Sequence, residues 1–351
     1  MPGMAKVDYL IVGQGLAGSC LALSLLERGK RILVADISDD HSASRVAAGM
    51  FNPITSKVRA TTWNAEVLFP FLHTFYQNAE TITKRRFYHP LPMYRPFPSD
   101  EDQKGWNDVT TVYLKELHLR SRYPQFVRDP FGGLELNHAG YVDTKTFVEV
   151  VKDHLHSLNC WLEMSGTFLV NEDFLDRCQE IAARVIFCEG VRVSENPFFK
   201  WLPINRLKGE VLDVQVDLPK DIIFNRSVYL VPGANGFRAG STYDRSGEEG
   251  ISTRGILDIE QRLRTLLSVD FTTTGSDWGF RPVVRDRRPI LGEHPERKGV
   301  FIFNGLGTKG VSLAPWSAKC LSGWMEGIES LPDELNISRF YPLYFKYLQD
   351  S

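Results

Sequence analysis

Residues 8–18 read DYLIVGQGLAG, an apolar run that breaks at Gly13, Gly15 and Gly18 and passes into a helix-like stretch over 16–28. Strand, glycine turn and helix in that order give the geometry that holds a dinucleotide pyrophosphate. Gly13 permits the tight turn, Gly15 lets the backbone approach the phosphates without a Cβ in the way, and Gly18 lets the helix pack closely on the strand. The helix N-terminus, at Leu16 and Ala17, then offers free N–H groups and the positive end of its dipole to the phosphates. A second apolar strand over 31–35 ends in Asp36, about 20 residues along, where a carboxylate accepts hydrogen bonds from ribose hydroxyls. An acid at that position predicts a ribose without a 2′-phosphate.

The rest of the chain bounds what surrounds this turn. Its 351 residues suggest two domains, and 43% hydrophobic residues supply a large core. With 41 basic and 43 acidic side chains the formal charge is −2, so no general attraction to nucleic acid or anionic lipid is expected, although a local basic patch is compatible with it. Cys20, Cys160, Cys178, Cys188 and Cys320 are odd in number and lack Cys-x-x-Cys spacing, which fits reduced thiols in a cytoplasmic protein. The first strand starts near Val7, leaving no room for a signal peptide before it, and no apolar run approaches the ~20 residues that span a bilayer.

Along the chain, a loop over 44–53 and a helix over 64–83 complete the opening of an α/β nucleotide domain. Residues 87–139 turn rich in proline and aromatics and read as strands and loops of another domain. A helix-like segment over 140–158 and strands near 167–170 and 184–188, the latter ending at Glu189-Gly190, return to the first pattern. Residues 206–278 alternate apolar and polar side chains in the β manner, with a helix over 257–267. The last block holds Phe280-Arg281-Pro282, a strand over 299–304, the glycines Gly305, Gly307 and Gly310, and a closing helix over 311–327.

Four of these pieces, in order, carry a family resemblance: the GQGLAG turn with Asp36, the SRVAAGMFNP loop from Ser44, the RLKGEV, YLVP and GSTY series at Arg206, Tyr229 and Gly240, and the GFRPVVRDRRPILG and NGLGTKGVSLAP pair from Gly279. Over nearly its full length the chain resembles the flavin-dependent amine and amino-acid oxidases of the D-amino-acid oxidase and glycine oxidase superfamily. The resemblance implies an α/β (α+β overall) architecture, with a Rossmann-like FAD-binding domain (1–86, 140–205 and 279–351) and an interleaved substrate domain on a mostly antiparallel β-sheet (87–139 and 206–278). It also implies FAD rather than NAD, bound non-covalently since the loop 305–310 holds neither Cys nor His. Besides the glycine turn and Asp36, the implied cofactor contacts are Ser44, Arg45, Ala48, Gly49, Met50, Phe168, Glu189, Gly190, Gly305, Gly307, Thr308 and Gly310.

The same resemblance assigns the substrate side. Arg281 would pair bidentately with a substrate carboxylate, a match of charge and fork geometry that lysine lacks. Tyr229 would reach the substrate and Tyr243 would lie across the pocket from it, each having the alternative of a core or interface aromatic. Lys309, beside the last helix N-terminus, would stabilise an anionic reduced flavin, unless it is a solvated lysine in a glycine loop. The chain departs from the glycine oxidase pattern at Leu306 and Thr308, which puts substrate choice in doubt.

The implied chemistry is oxidation of a C–N bond in a small amine or amino acid: a D-amino acid, glycine or an N-alkyl amino acid. Hydride passes to flavin N5, the imine is hydrolysed, and O2 or a quinone serves as final acceptor. No metal site is expected, since His154 and His156 sit two apart on a helix and face different ways. No G-x-S-x-G elbow or Walker pattern occurs. The basic clusters at 84–86 and 285–288 read as solvated edges or as phosphate contacts. The latter connects with a rival, since AAGMFNPITSKV also resembles the flavin domain of bifunctional enzymes that oxidise a carboxymethylaminomethyl group on tRNA wobble uridine. A third reading is a flavin-binding redox sensor without turnover.

Overall fold

Strand Val7–Val12 lies inside a six-stranded sheet ordered Trp161–Glu163, Ile32–Asp36, Val7–Val12, Ala182–Phe187, Val300–Asn304 and Ile290–Glu293. The first five run parallel and the last is antiparallel to its neighbour. The computed structural model describes residues 6–37, 39–55, 60–106, 109, 111–164 and 170–350. Alternation along Val7–Val12 sends Tyr9 and Ile11 to one face, beneath helices Leu16–Glu27, Thr144–Ser157 and Gly310–Met325. Leu10 and Val12 go to the other, where Leu175 and Cys178 of helix Glu172–Ile181 cover them. Covered on both faces, the strand is buried and apolar from Tyr9 to Val12, as a parallel sheet requires.

The second sheet has eight strands, ordered Phe271–Val284, Ile204–Val216, Gly236–Gly240, Val228–Gly233, Ile223–Arg226, Met93–Pro96, Gly133–Leu136 and Leu114–His118. Every pairing is antiparallel except that of Ile223–Arg226 with Met93–Pro96. Leu212, Val214 and Leu230 pack on Ile259, Leu263 and Leu266 of helix Thr253–Leu266. By the two-residue period, Gly209, Val211 and Tyr229 face the opposite way, into a cavity shared with the first sheet. The overall class is α/β with a Rossmann-like parallel sheet beside a mostly antiparallel one.

Details depart from the sequence reading. Residues 140–142 form a strand, and Asp143 caps the helix by accepting the Thr146 N–H. Helix Thr253–Leu266 starts four residues before 257, where Ser252 caps it. The chain closes with helix Tyr341–Asp350, which the sequence reading did not foresee. Its Tyr344 ring lies 5.0 Å from Trp201 and 5.2 Å from His294. Strand Phe271–Val284 runs through position 279, so the proposed domain limit there falls inside a continuous strand.

Candidate functional site

One continuous cavity of about 2350 Å³ runs from the glycine turn to the eight-stranded sheet. At its first end, the glycines are needed by the packing around them. A Cβ on Gly13 would stand 2.5 Å from the Cys188 carbonyl oxygen, one on Gly15 2.9 Å from Ser44 Oγ, and one on Gly18 1.9 Å from the Gly13 carbonyl oxygen. Gly13, Gly15, Leu16 and Ala17 line the cavity, whereas Gly18 is packed on Gly13 beneath it. Leu16 N–H donates to Ser44 Oγ at 2.9 Å, tying the Ser44 loop to the helix start. Asp36 lines the same end; burial raises its carboxyl pKa, opposed by hydrogen bonds from the Gln14 and Ile37 backbone and by the charges of Arg192 and Arg45. These features fit a dinucleotide: a glycine cradle, a helix start and an acid at the next strand end, in a trough with room for both nucleotide and flavin halves.

Most of the other expected cofactor residues line this trough. Arg45, Ala48, Gly49, Met50, Glu189, Gly190, Gly305, Gly307, Thr308 and Gly310 all border it. Arg45 Nη1 pairs with Glu149 at 3.1 Å. Asn304 Nδ2 donates to the Gly190 carbonyl at 2.8 Å, and its Oδ1 accepts the Gly305 N–H. Glu189 accepts from Asn196 Nδ2 at 2.7 Å; burial raises its pKa to about 7. Phe168 lies outside the described residues.

At the second end, Arg281 Nη2 donates to Ser241 Oγ at 2.7 Å and Nη1 to the Thr242 carbonyl at 3.3 Å. Its guanidinium carbon lies 5.4 Å from the Tyr243 ring centroid, a cation–π arrangement. Among the described residues Arg281 pairs with no carboxylate, so its charge faces the cavity without an acidic partner. Tyr229 lies opposite Gly240, whose missing Cβ would otherwise stand 2.7 Å from the phenol oxygen. Burial raises the Tyr229 pKa and the Arg281 charge opposes that rise. Tyr243 is 67% exposed, so it rests on the guanidinium at the rim rather than forming a wall across from Tyr229. Lys309 Nζ donates to Thr62 Oγ1 at 2.8 Å, and burial followed by the charges of Arg287 and Arg288 lowers its pKa to about 8.

The sequence reading missed the support behind Arg281. Lys208 and Glu210 are buried and lie 3.5 Å apart. Glu210 accepts the Ser252 N–H and the Thr242 hydroxyl, and its own N–H donates to Thr242 Oγ1 at 2.8 Å. The charged pair thus pins the segment whose Ser241 and Thr242 hold Arg281. Its signal was the KGE triplet at 208–210, two charges in an otherwise apolar strand interior.

The basic clusters separate. Lys84 is the left-handed cap of helix Ala65–Thr83, while Arg285 and Arg287 border the cavity. Among the described residues, one group of potential metal ligands, Glu116, His118 and Glu135, lies away from the cavity. There Glu116 approaches His118 Nδ1 and Glu135 approaches Nε2, opposite edges of one ring, and Lys115 already pairs with Glu135. All five cysteines are free thiols. No helix among the described residues is long and apolar enough to cross a membrane.

A protein-family model described as FAD dependent oxidoreductase, DAO, matches residues 8–324. The bifunctional protein ThiO/ThiG of Trichormus variabilis is 23% identical over 95% of this chain and 54% of its own length. The tRNA 5-methylaminomethyl-2-thiouridine biosynthesis bifunctional protein MnmC of Shewanella amazonensis is 23% identical over 93% of this chain and 57% of its own. The chain therefore spans about half the length of these curated relatives. Iminodiacetate oxidase from Chelativorans shares the fold, with a TM-score of 0.75 at 18% identity over 94% of this chain and 98% of that one.

Proposed function

The chain belongs to the DAO family of FAD-dependent oxidoreductases, and from that premise we propose that it oxidises the C–N bond of a small amine or amino acid carrying a carboxylate. The observation that carries the reading is Arg281, a cation in the cavity, held by neutral groups and paired with no acid among the described residues. A guanidinium so placed donates two parallel hydrogen bonds to a carboxylate.

The residues lining the trough support a non-covalent FAD assignment with the turn at Gly13 and Gly15, Leu16 and Ala17 at the pyrophosphate, Asp36 at the ribose, and the loop from Gly305 to Gly310 with Lys309 at the flavin end. When bound, FAD supplies two-electron acceptance, taking a hydride from the substrate carbon. The protein supplies position. Arg281 anchors the carboxylate, the Tyr243 ring restrains the guanidinium, and the Tyr229 phenol, protonated at neutral pH, donates a hydrogen bond while its ring excludes water. Water hydrolyses the imine product. A reducing cytoplasmic location and O2 or a quinone as acceptor belong to the same proposal.

Anaerobic addition of a panel of amines to the purified yellow protein tests it. Bleaching of flavin absorbance by free amino or imino acids supports the reading. Bleaching only by modified tRNA assigns the chain to the wobble-uridine reaction, and bleaching by nothing leaves the sensor.

A further inference from the structure

The cavity is more basic than the chain. Twelve cationic side chains and six carboxylates border it, whereas the whole sequence carries a formal charge of −2. Part of that excess forms a track leading away from Arg281. Arg281 holds Ser241 Oγ; Arg262 Nη1 donates to the Ser241 carbonyl at 3.2 Å and to the Ser227 carbonyl at 2.8 Å. Next to Ser227, Arg226 Nη1 donates to the Arg128 carbonyl at 2.8 Å and Nη2 to the Thr265 carbonyl. Arg262, Arg226 and Arg128 border the same cavity as Arg281.

The far end of this track is only partly compensated. Arg226 forms no ion pair among the described residues, and burial, with the charges of Arg128 and Arg95, lowers its pKa. The charge of Asp129 opposes that shift, but its oxygens accept from the Tyr94 and Ser121 hydroxyls and the Arg122 and Tyr123 N–H groups, and it forms no ion pair with Arg226 or Arg128 among the described residues. Arg128 spends only Nε, on the Leu267 carbonyl at 2.9 Å, and neither terminal nitrogen has a partner among the described residues. Arg226 is half-buried beside the exposed Arg128, and like charges so gathered with one acid between them are relieved when an anion binds. The open Arg128 fork, with the Arg226 charge beside it, matches the oxygens of a carboxylate or a phosphate.

We propose that Arg226 and Arg128 form a second anion subsite, so that the substrate carries an acidic group, carboxylate or phosphate, at the end remote from the carboxylate on Arg281. The proposal rests on the reading of Arg281 given above. The strands of Arg281 and Arg226 are four places apart in the sheet, roughly 19 Å between axes, and their side chains shorten the gap. The substrate is accordingly long: a glycine-sized amino acid fills only the Arg281 end.

Binding of hexanoate, adipate, suberate and sebacate to the flavin-loaded protein, read by calorimetry and by the shift in flavin absorbance, tests this. The longer diacids are expected to bind about tenfold or more tighter than hexanoate, with that ratio collapsing to about one in Arg128→Gln. Arg226→Gln is expected to do the same, but Arg226 ties a strand to a helix end, so Arg128→Gln decides if that variant does not fold. Inorganic phosphate that competes with sebacate in the wild type and not in Arg128→Gln assigns the subsite to phosphate esters; a diacid preference without such competition assigns it to carboxylates. Diacids that bind no tighter than hexanoate overturn the second subsite. Hexanoate bound equally by wild type and Arg281→Gln overturns the underlying reading of Arg281 instead.

Discussion

Gly209 and Arg281 lie on the two longest strands of the structure, and the first makes room for the second. A Cβ on Gly209 would stand 2.0 Å from Arg281 Nη2 and 2.3 Å from its guanidinium carbon. The guanidinium therefore reaches Ser241 only across a position without a side chain.

Gly209→Ala should displace Arg281 and leave the fold intact, because the clashing atoms end a flexible side chain and Gly209 has ordinary strand geometry. Losing a charge-assisted hydrogen bond costs about 1.5–3 kcal/mol, so KM for a carboxylate substrate should rise about tenfold to a hundredfold with kcat less affected. Steady-state kinetics beside a melting curve check this. An unchanged KM in a folded variant would remove Arg281 from substrate binding.

The Lys208–Glu210 pair should respond as buried ion pairs do. Glu210→Gln leaves the Lys208 ammonium, 1% exposed, with Asp244 Oδ2 at 3.3 Å as its remaining carboxylate among the described residues, so the loss should stay below the ~3–5 kcal/mol of a buried charge left alone. The melting temperature should fall by roughly two to five degrees. Lys208→Met combined with Glu210→Gln should recover part of that loss, since no buried charge then remains and Asp244 is left at a part-exposed position. A double variant less stable than Glu210→Gln alone would show that Lys208 stabilises by another route.

What was legible in the sequence was local. Gly13, Gly15 and Asp36 are fixed by turn geometry, backbone approach and the length of one strand–helix–strand unit, all within about 30 residues. The parallel and antiparallel sheets were legible from continuous apolar strands and alternating ones. The surroundings of Arg281 were not, because Ser241, Thr242 and Gly209 reach it through strand register, and hydrophobic alternation fixes a face without fixing a partner. The ladder between Ile204–Val216 and Phe271–Val284 even shifts register between Asp213 and Val214. The arginine track was hidden for the same reason: Arg128, Arg226, Arg262 and Arg281 are scattered over 154 positions and meet only in the folded chain. Helix Tyr341–Asp350 was missed because it is held by Tyr344 docking on Trp201 and His294, a tertiary contact.

Gly18→Ala should abolish the cofactor trough. Its Cβ would stand 1.9 Å from the Gly13 carbonyl oxygen, a backbone atom that cannot swing aside, so helix Leu16–Glu27 must move off the turn. The purified variant should carry little flavin by its absorbance ratio and melt at lower temperature. Full flavin content would contradict the close packing assigned to this residue.

Glu189 should make stability fall as pH rises. Its folded pKa of about 7 exceeds the ordinary 4.5 because burial disfavours the carboxylate. Between those values the folded protein binds more protons at this site than the unfolded chain, so its contribution is complete below pH 4.5 and is lost as pH passes through about 7. Glu189→Gln keeps an acceptor for Asn196 Nδ2 and removes the ionisation. Wild type and variant should therefore differ least near pH 5, and the variant should gain in relative melting temperature up to pH 8. Parallel melting curves across that range, at fixed flavin and salt, measure the difference; a gap that stays constant with pH would mean that Glu189 is ionised throughout in the folded protein.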